Sequence, residues 1–372
     1  MAYVERRVNE RRNGDGRVLR TVRYKVRYRD SSGRGHSETV ARRVDAYRRK
    51  AEIEQELATG SWNDPRRGDV LLRDWVKEWL PSRHDLRPTT RARLGTTMAH
   101  QVLPRFGDSA LRKITNSDVR RWVSDLLASG LSPATTRKAV FGLRQALDAA
   151  IADGRLAHNA ATAIPLPAER PKPPRFLSQP EVERLVTELP ARDRALVLVG
   201  AYAGLRWGEA AGLRRRDIDP LRSRIRISGT AVQLHGKVTL DNEPKTARSK
   251  RTVPLARSVM RRLEHHLAEH VASALDSLVF TAAGGGPLYR SWGQKVLEPA
   301  VRRAGLEGIT FHGLRHSFVA IMVAAGCNVR EVSEWAGHNS VAFTLTRYGG
   351  LFEDGTDAAV DRLDALLSPG GD

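Results

Sequence analysis

The sequence predicts a multidomain chain: a small α+β part made of a sheet and one helix, then an all-α part, then a mainly α part with a small antiparallel sheet. Three observations carry this. At 372 residues the chain exceeds one ordinary domain and has the apolar content for several cores. Residues 21–29, TVRYKVRYR, alternate apolar and cationic side chains strictly, with the period of a half-buried strand. Between two helical stretches lies AIPLPAERPKPPRF, where Pro165, Pro167, Pro171, Pro173 and Pro174 exclude both helix and central strand. The resulting division is 1–64, 65–160, a linker over 161–175, and 176–372.

In the first part, Val22, Tyr24, Val26 and Tyr28 share one face of the strand, and Arg23, Lys25, Arg27 and Arg29 the other. DSSGRG supplies a turn, HSETV a return strand, and RVDAYRRKAEIEQELATG a helix ended by Gly60. The cationic face has a plain reading as a protected sheet edge. The favoured reading is a ribbon that faces DNA, because a ribbon of two or three strands fits the major groove and four cations suit phosphates.

The second part reads as helices only. Pro88 opens PTTRARLGTTMAHQVL, Thr115 begins the capping pattern TNSD before VRRWVSDLLASG, and Ser132 with Pro133 starts ATTRKAVFGLRQALDAAIADG. Arg87, Arg91, Arg93, Arg137, Lys138 and Arg144 recur along these helices, and Arg91, Arg137 and Lys138 are expected to touch DNA. Beyond the linker, LSQPEVERLVTELP opens a new helical region. It is interrupted by strand-like SRIRIS and RTVPL and then returns to helices as far as Leu367.

Charge narrows the partners. The 62 Lys and Arg against 42 Asp and Glu leave a formal charge of +20, which points to a polyanion, nucleic acid before an acidic membrane surface. Cys327 is the sole cysteine, so neither an intramolecular disulfide nor a cysteine-rich zinc module can form. The start MAYVERRVNE has no apolar leader core, and the longest apolar run, around Ala195 to Leu205, is too short to span a bilayer. A soluble cytoplasmic protein with no membrane partner is expected.

The chemistry concentrates in FHGLRHSFVAIMVAAG, residues 311–326. From Leu314 the pattern is that of an interior helix, with Arg315 and His316 as exceptions in its first turn, where free backbone N–H groups also favour an anion. An unpaired buried guanidinium would cost several kcal/mol, so a carboxylate or a substrate phosphate is expected beside Arg315. In ALVLVGAYAGLRWGEAAGL, Arg206 has the same setting, with Glu209 one turn later. Gly-Leu-Arg also occurs at residues 142–144 and 212–214, in amphipathic or polar surroundings. Arg206 and Arg315 alone combine a buried context with a helix start, and together they could clamp one phosphate.

Other patterns carry less. His312 and His316 have a spacing that zinc ligands use, but Arg315 between them would repel a divalent cation. His266 and His270 read as a solvated helix face, and the glycines at 284–286 as a turn without a phosphate loop's lysine. No metal and no cofactor is expected.

These residues resemble the tyrosine recombinases, the phage-integrase family, from the linker to Tyr348. The family's elements are met in order: Arg206 in AGLRWGE, Lys245 in PKTARSKRTVPL, His312 and Arg315 in HGLRH, His338 in EWAGHNS, and Tyr348 in TRYGGL. The one departure is Ala336, where the family usually has leucine before Gly-His. The resemblance implies the tyrosine recombinase fold, with an N-terminal arm-site-binding domain, a helical core-DNA-binding domain and a catalytic domain, the last two closing as a C-shaped clamp.

It also implies a metal- and ATP-independent site-specific recombinase that integrates or excises a phage or mobile element. Tyr348 would be the nucleophile, and a phenol with a pKa of about 10 needs activation. His312 is the candidate base, Arg206, Arg315 and His338 would hold the phosphate oxygens, and Glu209 would support Arg206. Lys245 would protonate the leaving 5′ oxygen, with Lys250 as the lesser alternative. His316 is read as a structural hydrogen-bonding residue. The expected partners are double-stranded DNA attachment sites, three further copies forming a homotetramer on them, and an excisionase or DNA-bending factor. An integrase-like regulator that binds DNA without chemistry is the competing reading, and it would have no need of Lys245, His338 and Tyr348 together. A topoisomerase using the same tyrosine ranks below both.

Overall fold

The computed structural model describes residues 2–12, 18–30, 33–59, 64–168, 175–241, 250–338 and 340–353, with Val360, Asp364 and Leu367. The chain divides into two compact units, Met1–Arg170 and Pro171–Asp372. It is helix-rich with small antiparallel sheets, the class expected from the sequence. No helix among the described residues is long and apolar enough to cross a membrane.

The first unit opens with strands β1 (Tyr3–Arg12), β2 (Val18–Arg29) and β3 (Gly35–Val40), followed by helix α1 (Arg43–Ala58). The strands form one antiparallel sheet in that order. Val26 and Tyr28 of β2 are buried with Ala46 and Ile53 of α1, so the apolar half of the alternation does face the helix. β1, which the sequence reading did not identify, pairs with β2 from Tyr3 opposite Arg27 to Arg12 opposite Val18. Its own alternation is broken by Arg6, which stands between Val4 and Val8.

Helices α2 (Leu72–Ser82), α3 (Pro88–Thr97), α4 (Leu103–Phe106), α5 (Asn116–Ala128) and α6 (Pro133–Ala152) complete this unit around a second core. Two starts follow the local chemistry read from the sequence. Thr115 and Asp118 form a reciprocal capping box on α5, and Ser132 caps α6 ahead of Pro133. Inside, the Trp75 indole donates to the Ala146 carbonyl at 2.7 Å, so the buried ring's polar atom is satisfied.

The second unit contains α7 (Gln179–Thr187), α8 (Ala191–Tyr202), α9 (Trp207–Ala211), β4 (Ile218–Asp219), β5 (Arg224–Ile227), β6 (Thr230–Leu234), β7 (Lys237–Asp241) and β8 (Arg251–Pro254). It continues with α10 (Arg257–His270), α11 (Glu298–Arg303), α12 (Phe311–Ala324), α13 (Val329–Ala336), α14 (Val341–Tyr348) and α15 (Gly350–Glu353). β4, β5 and β8 form one small sheet, and β6 with β7 a hairpin. The core is centred on α8, buried continuously from Ala195 to Ala201, with α12 packed along it.

Two readings change. α12 starts at Phe311 because the Thr310 hydroxyl caps it by accepting from the Gly313 amide at 3.1 Å. Arg315 and His316 therefore stand in its second turn, away from the free N–H groups. His266 is not on a solvated face: it is 5% exposed, packs against Phe280, and pairs with the Val279 carbonyl at 2.8 Å.

Candidate active site

Arg315 projects from α12 into an interior that leaves it 2% exposed. Of the two anions expected beside it, no carboxylate is hydrogen-bonded to it among the described residues: Nη1 donates to the Gly204 carbonyl at 2.7 Å. Gly204 has φ of +61°, and a Cβ there would lie 2.4 Å from Phe318 of α12. Only glycine fits this turn, and the turn delivers its carbonyl to the guanidinium. Burial, and after it Arg206, bring the Arg315 pKa down to about 9, with Glu209 acting in the opposite sense. The guanidinium thus sits where more negative charge would be welcome.

Arg206 is the N-cap of α9, and its backbone amide donates to Glu209 at 2.9 Å. Its side chain, 40% exposed, reaches Glu209 Oε1 at 2.9 Å and the Gly337 carbonyl at 2.5 Å. Glu209 is buried and bound on its other side by Arg251 of β8, whose two terminal nitrogens reach it at 2.9 and 2.8 Å. Burial alone would raise the Glu209 pKa. The hydrogen bonds and charge of Arg251, then the charge of Arg206, hold it instead at about 2.

Arg251 also donates Nε to the Trp335 carbonyl at 2.6 Å. Gly337, the left-handed C-terminal residue of α13, presses against it, since a Cβ there would lie 2.9 Å from Arg251 Nη1. One buried brace therefore fixes α9, β8 and the turn that carries His338.

Tyr348 ends α14 and is 3% exposed. Its hydroxyl is hydrogen-bonded to His316 Nδ1 at 2.5 Å. The His338 ring lies parallel to the phenol, 6° between planes and 5.9 Å between centroids, and its Nδ1 is hydrogen-bonded to Thr344 at 2.8 Å. His312, exposed at the surface, meets the edge of the His316 ring at 4.7 Å.

Burial raises the Tyr348 pKa, with Arg315 and Arg347 pulling against it. Burial also lowers both neighbouring imidazoles: His338 to about 3, helped by Arg315 and Arg206, and His316 to about 4, helped by His312 and Arg347. The His312 pKa is lowered in the same sense, by desolvation and then Arg315. At neutral pH the cluster holds neutral imidazoles among fixed arginines. Such an array can bind an anion by charge and still accept protons.

Arg206, His312, Arg315, His338 and Tyr348 are brought together with Glu209, while Lys245 lies outside the described residues. Lys250, the lesser alternative, is exposed just before β8. Two residues of the cluster were not singled out as site residues from the sequence. Arg251 has no signal beyond being an arginine in a strand, and His316 reads from the sequence as a structural hydrogen-bonding residue.

Of the cations expected to meet DNA, Arg23 is exposed, Lys25 is half-buried, and Arg27 is paired with Glu5 at 2.8 Å. Arg29 donates to the Gly33 carbonyl, and Lys138 is exposed. Arg91 is half-buried and reaches the Pro81 carbonyl at 3.5 Å. Arg137 is turned onto the Pro167 carbonyl, with its Nε buried and unpaired.

Comparison with known proteins gives a consistent picture. Residues 175–353 match the model of the phage integrase family, and residues 71–127 that of the phage integrase N-terminal SAM-like domain. The protein named prophage phiRv2 integrase in Mycobacterium tuberculosis is 26% identical over 90% of this chain and 91% of its own length. The tyrosine recombinase XerD of Corynebacterium glutamicum is 29% identical over 63% of this chain and 78% of its own. In fold, the chain is similar to the Tn1549 transposon integrase in complex with transposon right end DNA. That likeness has a TM-score of 0.67 at 20% identity and covers 79% of this chain and 99% of the other.

Proposed function

The chain belongs to the phage integrase family, the tyrosine recombinases, and from that premise we propose how its residues divide the work of a site-specific DNA recombinase. The enzyme cleaves and rejoins DNA strands through a 3′-phosphotyrosyl intermediate, as an integrase of a phage or mobile element. Tyr348 is the nucleophile in this reading, and Arg206, Arg315 and His338 hold the scissile phosphate. His312, the base expected from the sequence, stands against the His316 ring while His316 makes the hydrogen bond to the phenol, so His312 is assigned to a phosphate oxygen instead. Lys245 delivers a proton to the departing 5′ oxygen. Because phosphate-ester energy is kept in the tyrosyl link, no ATP is needed.

The observation that carries this reading is the convergence of Tyr348, His338, Arg315 and Arg206 through ring stacking and hydrogen bonds to Gly204 and Gly337. These residues lie on four separate segments, and neutral imidazoles among arginines suit a phosphoryl-transfer site better than a passive binding surface. Glu209 holds Arg206 from behind.

The remaining parts take supporting roles in the same proposal. Residues 1–64 bind arm-type sites through Arg23, Lys25, Arg27 and Arg29. Residues 65–160 bind the core site, with Arg91, Arg137 and Lys138 on the phosphates, and residues 161–175 link them to the catalytic domain, 176–372. Four copies assemble on two DNA sites in the host cytoplasm, with an excisionase or bending factor setting direction.

Incubating the protein with a nicked duplex carrying its attachment site should trap a covalent protein–DNA adduct. An adduct that persists in Tyr348→Phe would remove Tyr348 from the role of nucleophile.

A further inference from the structure

We infer that His316 is the group that takes the Tyr348 proton as strand cleavage begins. The inference rests on Tyr348 being the nucleophile and adds a residue to its chemistry. His316 Nδ1 is 2.5 Å from the phenolic oxygen, within the reach a general base needs. His312 meets His316 in a T-shaped ring contact, 4.7 Å between centroids, and makes no hydrogen bond to Tyr348 among the described residues. His338 stacks face to face on the phenol, and its Nδ1 is engaged by Thr344. Among the described residues the hydrogen bond to the hydroxyl is therefore made by His316, its ring tilted 52° from the phenol.

The surroundings keep that nitrogen available. His312 and Arg315 lie on its own helix, and Arg347 on α14 and His338 on the preceding turn face the same cluster. Burial, His312, Arg347 and Arg315 all disfavour the imidazolium, so His316 is neutral at physiological pH. In the tautomer with a bare Nδ1, it accepts from the phenol.

The step balances without any external reagent. As Tyr348 Oη bonds to phosphorus, its proton passes to His316 Nδ1. The bond from phosphorus to the 5′ oxygen breaks, and that oxygen takes a proton from the acid assigned to Lys245. In the rejoining reaction His316 returns its proton to the phenol. The incoming phosphate offsets the guanidinium charges and makes the transient imidazolium less costly than in the free protein.

The test compares His316→Ala, His316→Gln, His312→Ala and Lys245→Ala on two nicked duplexes carrying the attachment site. One duplex is all-oxygen, and the other has sulfur bridging at the scissile 5′ position, so that its leaving group needs no acid. Cleavage by His316→Ala is expected to fall on the order of 10² to 10⁴-fold on both, and added imidazole should restore part of it. His316→Gln, which keeps a hydrogen-bonding side chain and guards against a folding defect, should stay slow at neutral pH and gain rate as pH rises. Lys245→Ala should recover on the sulfur duplex alone.

Near wild-type cleavage by both His316 variants would overturn the inference. So would a loss in both that neither imidazole nor rising pH relieves, or imidazole rescue confined to His312→Ala. Failure of the nucleophile assignment would show separately, as an adduct surviving in Tyr348→Phe.

Discussion

Arg251 grips Glu209 with both terminal nitrogens, at 2.9 and 2.8 Å, in a setting that leaves their side chains 4% and 8% exposed. Removing one partner of such a pair strands the other charge, at a cost of roughly 3–5 kcal/mol. Arg251→Met is therefore expected to lower the denaturant midpoint strongly, as followed by circular dichroism. Glu209→Gln should also lower the midpoint, because it leaves the buried Arg251 guanidinium facing a neutral amide with one acceptor oxygen in place of a carboxylate. Equal midpoints for wild type and Arg251→Met would contradict the brace.

The same pair sets an acid limit. Glu209 is held at about 2 in the folded protein, against about 4.3 for a free glutamate. Its stabilising contribution is fully present above the unfolded value and is lost as pH falls through the folded one. His338, at about 3 when folded, adds a loss that begins higher: the unfolded chain takes up its proton below about 6.5, and the folded chain does not. Thermal melts should show stability falling from about pH 6.5 down to pH 3. His338→Gln should make the upper part of that fall shallower, the rest of it coming from His316, held at about 4, and leave the Glu209 part below pH 4.5.

Phosphate binding should reverse the pressure on the imidazoles. Burial and Arg315 keep His338 neutral, and burial and His312 do the same for His316. An anion placed on Arg315 and Arg206 raises both pKa values, so specific DNA binding near pH 6 should take up protons. Titration calorimetry in two buffers of different ionisation heat would detect it, and Arg315→Ala should abolish most of the uptake. Identical heats in both buffers would count against an anion at this cluster.

On the cationic face of β2, Arg23 and Arg29 are exposed and Lys25 is half-buried, whereas Arg27 is occupied by Glu5 and Arg29 donates to the Gly33 carbonyl. Replacing Arg23 and Lys25 by alanine should reduce the slope of log affinity against log salt by roughly 2. Glu5→Gln should act the other way, releasing Arg27 to a phosphate. An unchanged slope in the double variant would show that this face meets something other than DNA.

What the sequence disclosed depended on how local each signal was. TVRYKVRYR declared its strand because burial against α1 imposes a two-residue period, while β1 stayed hidden because Arg6 interrupts its apolar face. Arg206 and Arg315 stood out as charges in apolar runs. The Glu209–Arg251 pair joins residues 42 apart, and no periodicity reports a contact of that kind. Tyr348 and His316 meet across two helices, so their bond appears only once α12 and α14 are packed. The start of α12 was misjudged because glycine at 313 replaces the acidic residue that completes a capping box.

Each of the two site arginines rests on a glycine carbonyl supplied by another segment: Arg315 on Gly204, and Arg206 on Gly337. Both glycines are in left-handed turns that a side chain would block. The proposed grip on phosphate therefore needs α8, α12 and α13 docked together. If these arginines hold the scissile phosphate as proposed, two backbone turns act as an interlock that ties strand scission to the assembled fold.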